Sequence, residues 1–148
     1  MRVLVAEEDK DRRSPLVEML REWGYEAEAV SSFAEATRVL NSATQPVLVL
    51  LDWDLPGCRG LSSVRDLRRR EAGAALYVVV LTRRRQKPFF VEALYAGAND
   101  CLARNCKPGE LRLHLEIGRA VLDSRQGVSN RLAKPFRDRR ANYSAWAD

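Results

Sequence analysis

Four places in this sequence combine residue types that could do chemistry with a position that could bring them together. Glu7, Glu8 and Asp9 follow the apolar run Val3–Ala6, and Asp52 and Asp54 follow the run Val47–Leu51. Thr82 ends the run that starts at Leu76 and is followed by Arg83, Arg84 and Arg85, while Arg104 follows Cys101–Ala103. Carboxylates gathered at one point repel unless a cation neutralises them, and an all-oxygen donor set favours a hard ion such as Mg²⁺. A carboxylate held beside such an ion can attack phosphorus and become an acyl phosphate. Thr82 and Arg104 would then hydrogen-bond to the incoming phosphoryl oxygens and neutralise them. These residue types together suggest acceptance of a phosphoryl group.

The elements that must position them alternate along the chain. Short apolar runs at Val3–Ala6, Ala27–Val30, Val47–Leu51, Leu76–Leu81 and Cys101–Ala103 read as strands. The first, third and fourth are continuous, as strands covered on both faces must be; the second alternates, which suits an edge. Helical patterns separate them. Leu16, Met19, Leu20 and Trp23 recur at helical spacing before Gly24, and Ser32 with Glu35 forms a capping box ahead of Ala36 and Leu40. Leu61, Val64 and Leu67 mark a third helix, ended by the stretch from Arg68 to Glu71 and by Gly73. Phe90, Ala93 and Leu94 mark a fourth, stopped at Gly97, and Pro108 opens a fifth through Leu111, Leu115, Val121 and Leu122. Five strand–helix units in succession imply an α/β fold with a parallel sheet and right-handed crossovers. Ligands of such sheets bind at the carboxyl ends of the strands, where all four chemical clusters stand.

A chain of 148 residues, 46% of them hydrophobic, can bury a core without metal or disulfide staples. Cys58, Cys101 and Cys106 are odd in number and widely spaced, which argues against a disulfide framework and a CxxC zinc site and suggests buried or incidental thiols. No apolar run is long enough to span a membrane, and no signal peptide fits the N-terminus, so the expected location is the cytoplasm. Of the net charge of +5, the stretch from Arg125 to Asp148, with six basic and two acidic residues, carries +4. A near-neutral body argues against a nucleic-acid-binding module and leaves only weak contact through the tail, where Phe136, Tyr143 and Trp146 accompany the arginines.

From Met1 to about Ser124 the sequence resembles the receiver domains of bacterial two-component response regulators. The resemblance rests on Val3-Leu4-Val5-Ala6-Glu7-Glu8, on Leu50-Leu51-Asp52-Trp53-Asp54-Leu55-Pro56-Gly57, on Val80-Leu81-Thr82, and on Ala96-Gly97-Ala98-Asn99-Asp100. It implies a flavodoxin-like doubly wound sheet of order 2-1-3-4-5 with five helices. It further implies that a sensor histidine kinase or a phosphotransfer protein phosphorylates Asp52, that Glu7 and Glu8 build the acidic pocket, and that Mg²⁺ binds through Glu8, Asp52 and the backbone carbonyl of Asp54. Thr82 would be the switch hydroxyl and Arg104 would contact the phosphoryl group in place of the family's usual Lys. Such a domain is a phosphoacceptor that assists its own phosphorylation and dephosphorylation rather than an enzyme with a separate substrate. The family usually has Asp at Glu8, a small residue at Arg83 and a cis-bonded Pro at Asn105, so a trans peptide is expected after Arg104. The alternative reading is a degenerate receiver that acts as a phosphorylation-independent interaction module. Asp52-Trp53-Asp54 also resembles the aspartate pair of haloacid-dehalogenase-like phosphohydrolases, but that pair follows the first strand of a larger domain.

Several residues have plainer readings. Asp9 and Asp11 suit the start of a helix as caps, and Asp54 either shapes its loop or tunes phosphoryl lifetime. Arg68, Arg69 and Arg70 read as a solvated helix face, and His114 has no histidine partner. The expected division is a receiver domain over 1–124 and a basic, flexible tail over 125–148, too short for an output domain. Output would pass to an unidentified protein, or to a second copy, through the fourth helix, fifth strand and fifth helix.

Overall fold

Strand and helix alternate five times among the described residues. The computed structural model describes residues 1–69, 75–83 and 87–130, with the backbone alone at 87–88 and 127–130. The elements are β1 (Arg2–Ala6), α1 (Lys10–Glu22), β2 (Glu26–Val30), α2 (Phe33–Asn41), β3 (Val47–Asp52), α3 (Leu61–Arg69), β4 (Leu76–Thr82), α4 (Lys87–Ala96), β5 (Asp100–Ala103) and α5 (Pro108–Asn130). All strand pairs are parallel, and their order is β2-β1-β3-β4-β5. This is the flavodoxin-like arrangement expected, with the alternating β2 at an edge.

The strand period of two divides the core. Leu4, Val49, Leu51, Val78 and Val80 face one layer with Ala36, Leu40, Val64, Leu67 and Ala93. Their neighbours Val3, Val5, Leu48, Leu50 and Val79 face the other with Val17, Leu20, Leu111, Leu115 and Leu122. Each of the valines and leucines among them, fully buried, contributes roughly 1.5–3 kcal/mol of transfer free energy. The continuous runs of β3 and β4 are therefore required by helices on both sides. Gly118 lets α5 approach closely, since a Cβ there would stand 2.6 Å from the Tyr77 ring and 2.8 Å from Leu48.

Local signals set the helix starts. Asp9 caps α1 by accepting from the Asp11 amide at 2.9 Å, so its capping reading holds. Ser32 caps α2 by accepting from the Glu35 amide at 3.2 Å, and Glu35 accepts in turn from the Ser31 amide. Pro108 stands at the first position of α5.

Three expectations change. Arg68 is not a solvated residue: its guanidinium donates to the carbonyls of Gly97 at 2.5 Å and Leu76 at 2.7 Å, and to Asn99 Oδ1. It clamps the end of α3 to the start of β4 and to the α4–β5 turn. Gly97, with φ +118°, is required there because a Cβ would meet Arg68 Cγ at 2.7 Å. In α4 the buried stripe is Phe89, Ala93 and Ala96, whereas Leu94, expected inside, is exposed beside Val91 and Tyr95. The helix is apolar on more than one side, so periodicity alone could not choose its inner face. Finally, α5 continues through Asn130, past the boundary expected at Ser124. Leu122 is the last buried residue among the described side chains, and Asp123, Arg125 and Gln126 carry side chains that a solvated helix tolerates. The expected end of α3 at Arg70–Gly73, the pair Arg84–Arg85 and the tail from residue 131 lie outside the described residues.

Candidate functional site

Register brings the first two acids together. Ala6 pairs with Leu51, so the next residue on each strand, Glu7 and Asp52, stand side by side at the carboxyl ends of β1 and β3. The Glu7 amide still bonds to Val30 O at 3.0 Å, which continues the strand by one residue. Glu7 then follows Val3 and Val5 in phase and is 6% exposed, like Asp52 at 3%. Glu8 is out of phase and exposed, and no hydrogen bond or ion pair holds its carboxylate among the described residues. Two side-chain carboxyls converge, therefore, where three acidic residues were expected to form the pocket.

Their protonation differs. Burial and the hydrogen bond to Asp52 push Glu7 up to about 7, against the opposing pull of Arg12. Burial also acts to raise Asp52, but the hydrogen bond from Glu7, the contact with Arg104 and the Asp54 amide outweigh it. Asp52 is thus held below the ordinary carboxylate range and Glu7 well above it.

Three guanidinium groups close around the acids. Arg104 Nη2 contacts Asp52 Oδ1 and lies 3.1 Å from Asp54 Oδ2. Arg83 Nε stands 3.3 Å from Asp54 Oδ2, which ties both departures from the family pattern to the same loop. Arg12 Nε pairs with Glu7 Oε1, and its Nη2 lies 4.0 Å from Asp52 Oδ2. Arg12 was not among the expected site residues. The signal was its place in the first turn of α1, from which a long side chain reaches back over the strand ends.

Thr82 closes β4, is 1% exposed, and its carbonyl accepts from the Arg104 amide at 2.8 Å. The Asp54 amide donates to Asp52 Oδ1 at 3.2 Å, and Asp54 itself is exposed. The described residues contain no cis peptide bond, so the bond after Arg104 is trans as expected. Cys101 is buried and Cys58 and Cys106 are half-buried, all as free thiols, and His114 Nδ1 faces Asp100 Oδ2. Among the described residues no group of three or more His, Cys, Asp or Glu side chains is gathered as a metal cluster.

The chain matches the response regulator receiver domain family over residues 3–116. It belongs to that family. The receiver is 32% identical over 110 residues to the phosphate regulon transcriptional regulatory protein PhoB of Escherichia coli, covering 74% of this chain and 48% of PhoB. It is also 32% identical over 110 residues to the DNA-binding response regulator MtrA of Mycolicibacterium paratuberculosis, covering 74% of this chain and 47% of MtrA. The receiver thus spans about half the length of these relatives. Among solved structures it resembles the receiver domain of sensor histidine kinase PA1611 from Pseudomonas aeruginosa, at 28% identity and a TM-score of 0.67, over 78% of this chain and 93% of that one. That structure carries a magnesium ion coordinated in the active-site cleft. The BeF3-activated receiver domain of Klebsiella pneumoniae RstA, at 24% identity and a TM-score of 0.69 over 80% and 97% of the two chains, shares the fold.

Proposed function

We propose that this receiver accepts a phosphoryl group on Asp52 from the phosphohistidine of a sensor histidine kinase or phosphotransfer protein, in a Mg²⁺-dependent reaction. The observation that carries the reading is a buried Asp52, held below the ordinary carboxylate range, at the carboxyl end of the central strand, with Glu7 beside it and Arg104 against it. Arg104 and the Asp54 amide hold Oδ1, and Oδ2, 4.0 Å from Arg12 Nη2, is the oxygen assigned the attack. The new P–O bond forms there as the donor's P–N bond breaks and its electron pair returns to the imidazole. Arg104 then follows the charge onto the phosphoryl oxygens, and the Thr82 hydroxyl turns toward them as the switch.

The donors fit a hard cation. Mg²⁺ is held by one or two carboxylates and keeps several waters, so Asp52, the backbone carbonyl of Asp54 and Glu7, with its proton released as the ion binds, would hold it, and Glu8 would add negative charge at the rim. Bound there, the ion would offset the charge of donor and acceptor during transfer. Arg104 competes for the same oxygen of Asp52, which favours weak metal affinity. That competition is also the observation behind a second reading, a receiver held in one state by its own ion pairs and acting without phosphate.

Incubation with a labelled phosphodonor and Mg²⁺ separates the two. The expected result is stable label on the wild type, loss of label with a chelator, and none on Asp52→Asn. Equal labelling of wild type and Asp52→Asn defeats the assignment. No label at all, with no spectral response to millimolar-range Mg²⁺, establishes the second reading.

A further inference from the structure

Arg12 reaches both acids of the pocket. Its Nε pairs with Glu7 Oε1 and its Nη2 lies 4.0 Å from Asp52 Oδ2, and no other of the described ion pairs spans the two. Its Nη1 lies 3.7 Å from Asp9 Oδ2. Asp9 uses Oδ1 for the Asp11 amide, so the cap of α1 also presents a carboxylate oxygen at the rim. The Arg12 side chain is 42% exposed, whereas those of Glu7 and Asp52 are buried. One guanidinium therefore sits between a buried acidic pair and an exposed carboxylate, on a stem that solvent reaches.

The other two arginines are placed differently. Arg104 contacts Asp52 on Oδ1 and also Asp54, and Arg83 contacts Asp54. Neither bridges Glu7 to Asp52. A divalent cation shared by those two acids draws on an oxygen from each, and Arg12 faces an oxygen on each. Two cations on one acidic pair repel each other, so the guanidinium and the ion compete for it.

We propose that Arg12 is a resident counter-cation of the Glu7–Asp52 pair, which Mg²⁺ displaces onto Asp9, so that the same movement admits the ion and uncovers Asp52 Oδ2. The inference rests on the metal site of the phosphoacceptor reading and adds the side chain that sets its affinity. A site that is open for only a fraction of the time binds its ligand more weakly by that fraction.

The test is a Mg²⁺ titration of the full chain followed by tryptophan fluorescence, because Trp53 directly follows Asp52. Asp52→Asn serves as the blank for the other tryptophans. Burial raises the Glu7 carboxyl to about 7, so a buffer at about pH 9 keeps its proton from competing with the ion. Arg12→Gln keeps a polar head on α1 and removes the charge, and it should bind Mg²⁺ about tenfold more tightly than the wild type. Lys10→Met removes an exposed charge from the same turn and should stay within about twofold of the wild type. Unchanged affinity in Arg12→Gln, or an equal gain in Lys10→Met, would overturn the proposal and leave the metal site standing. No saturable response above the blank in either wild type or Arg12→Gln would overturn it together with that metal site.

Discussion

Glu7 and Asp52 carry the same functional group on neighbouring strands, yet their surroundings drive them in opposite directions. Glu7 keeps its proton up to about 7 in the folded chain, because of burial and its bond to Asp52, and ionises near 4.5 when unfolded. Between those values the unfolded chain has lost a proton that the folded chain retains, so stability falls as pH rises through the window and then levels off. Asp52 has the opposite sign: its contribution is present above about 3.8 and is lost as pH falls through its lowered value. The groups facing Glu7 are Asp52 and Arg12, with Arg104 behind Asp52. Urea unfolding at about pH 5 and about pH 8 should show the wild type losing on the order of 2 kcal/mol relative to Glu7→Gln. Parallel pH profiles would mean that Glu7 does not hold the proton. The places of Asp52, Thr82 and Arg104 at the carboxyl ends of the strands were legible because each directly follows or ends an apolar run. Arg12 was not, because its contacts with Glu7 and Asp52 join a helix to two strand ends, which residue spacing does not show.

At the scale of elements, strands were easier to read than helix faces. A strand covered on both sides announces itself by an unbroken apolar run, as in β3 and β4. A helix with apolar residues around most of its circumference, such as α4, leaves its inner face to be chosen by what it packs against, and Phe89 and Ala96 were chosen over Leu94. Arg68 makes the same point with charge. On α3 it looked like one of several solvated arginines, but its three acceptors belong to the start of β4 and the α4–β5 turn. Arg68→Met keeps the aliphatic stem and removes those bonds. It should cost about 1.5–3 kcal/mol, read as a lower urea midpoint with unchanged slope. An unchanged midpoint would show that the clamp contributes nothing net.

At the scale of the molecule, the large exposed apolar residues among those described lie on α4 and α5, with Val91, Leu94 and Tyr95 on one and Leu113 and Ile117 on the other. The proposed output surface runs across these helices and β5. Sedimentation velocity with Mg²⁺ and a phosphodonor should show a shift from monomer toward dimer, which Ile117→Arg prevents while Asp52 is still labelled. Full labelling with no change in sedimentation would remove a second copy of this chain as the recipient of the output. The sequence alone determined the order of elements, the parallel sheet and the place of Asp52 at its central strand end. Those follow from local periodicity, turn residues and the handedness of crossovers, which nearby residues specify. Only the tertiary structure decided that Glu7 rather than Glu8 meets Asp52, that Arg12 joins them, and that Arg68 is a clamp. Those outcomes hang on one-residue phase in the sheet and on contacts between distant segments, and a pattern of residue types carries neither.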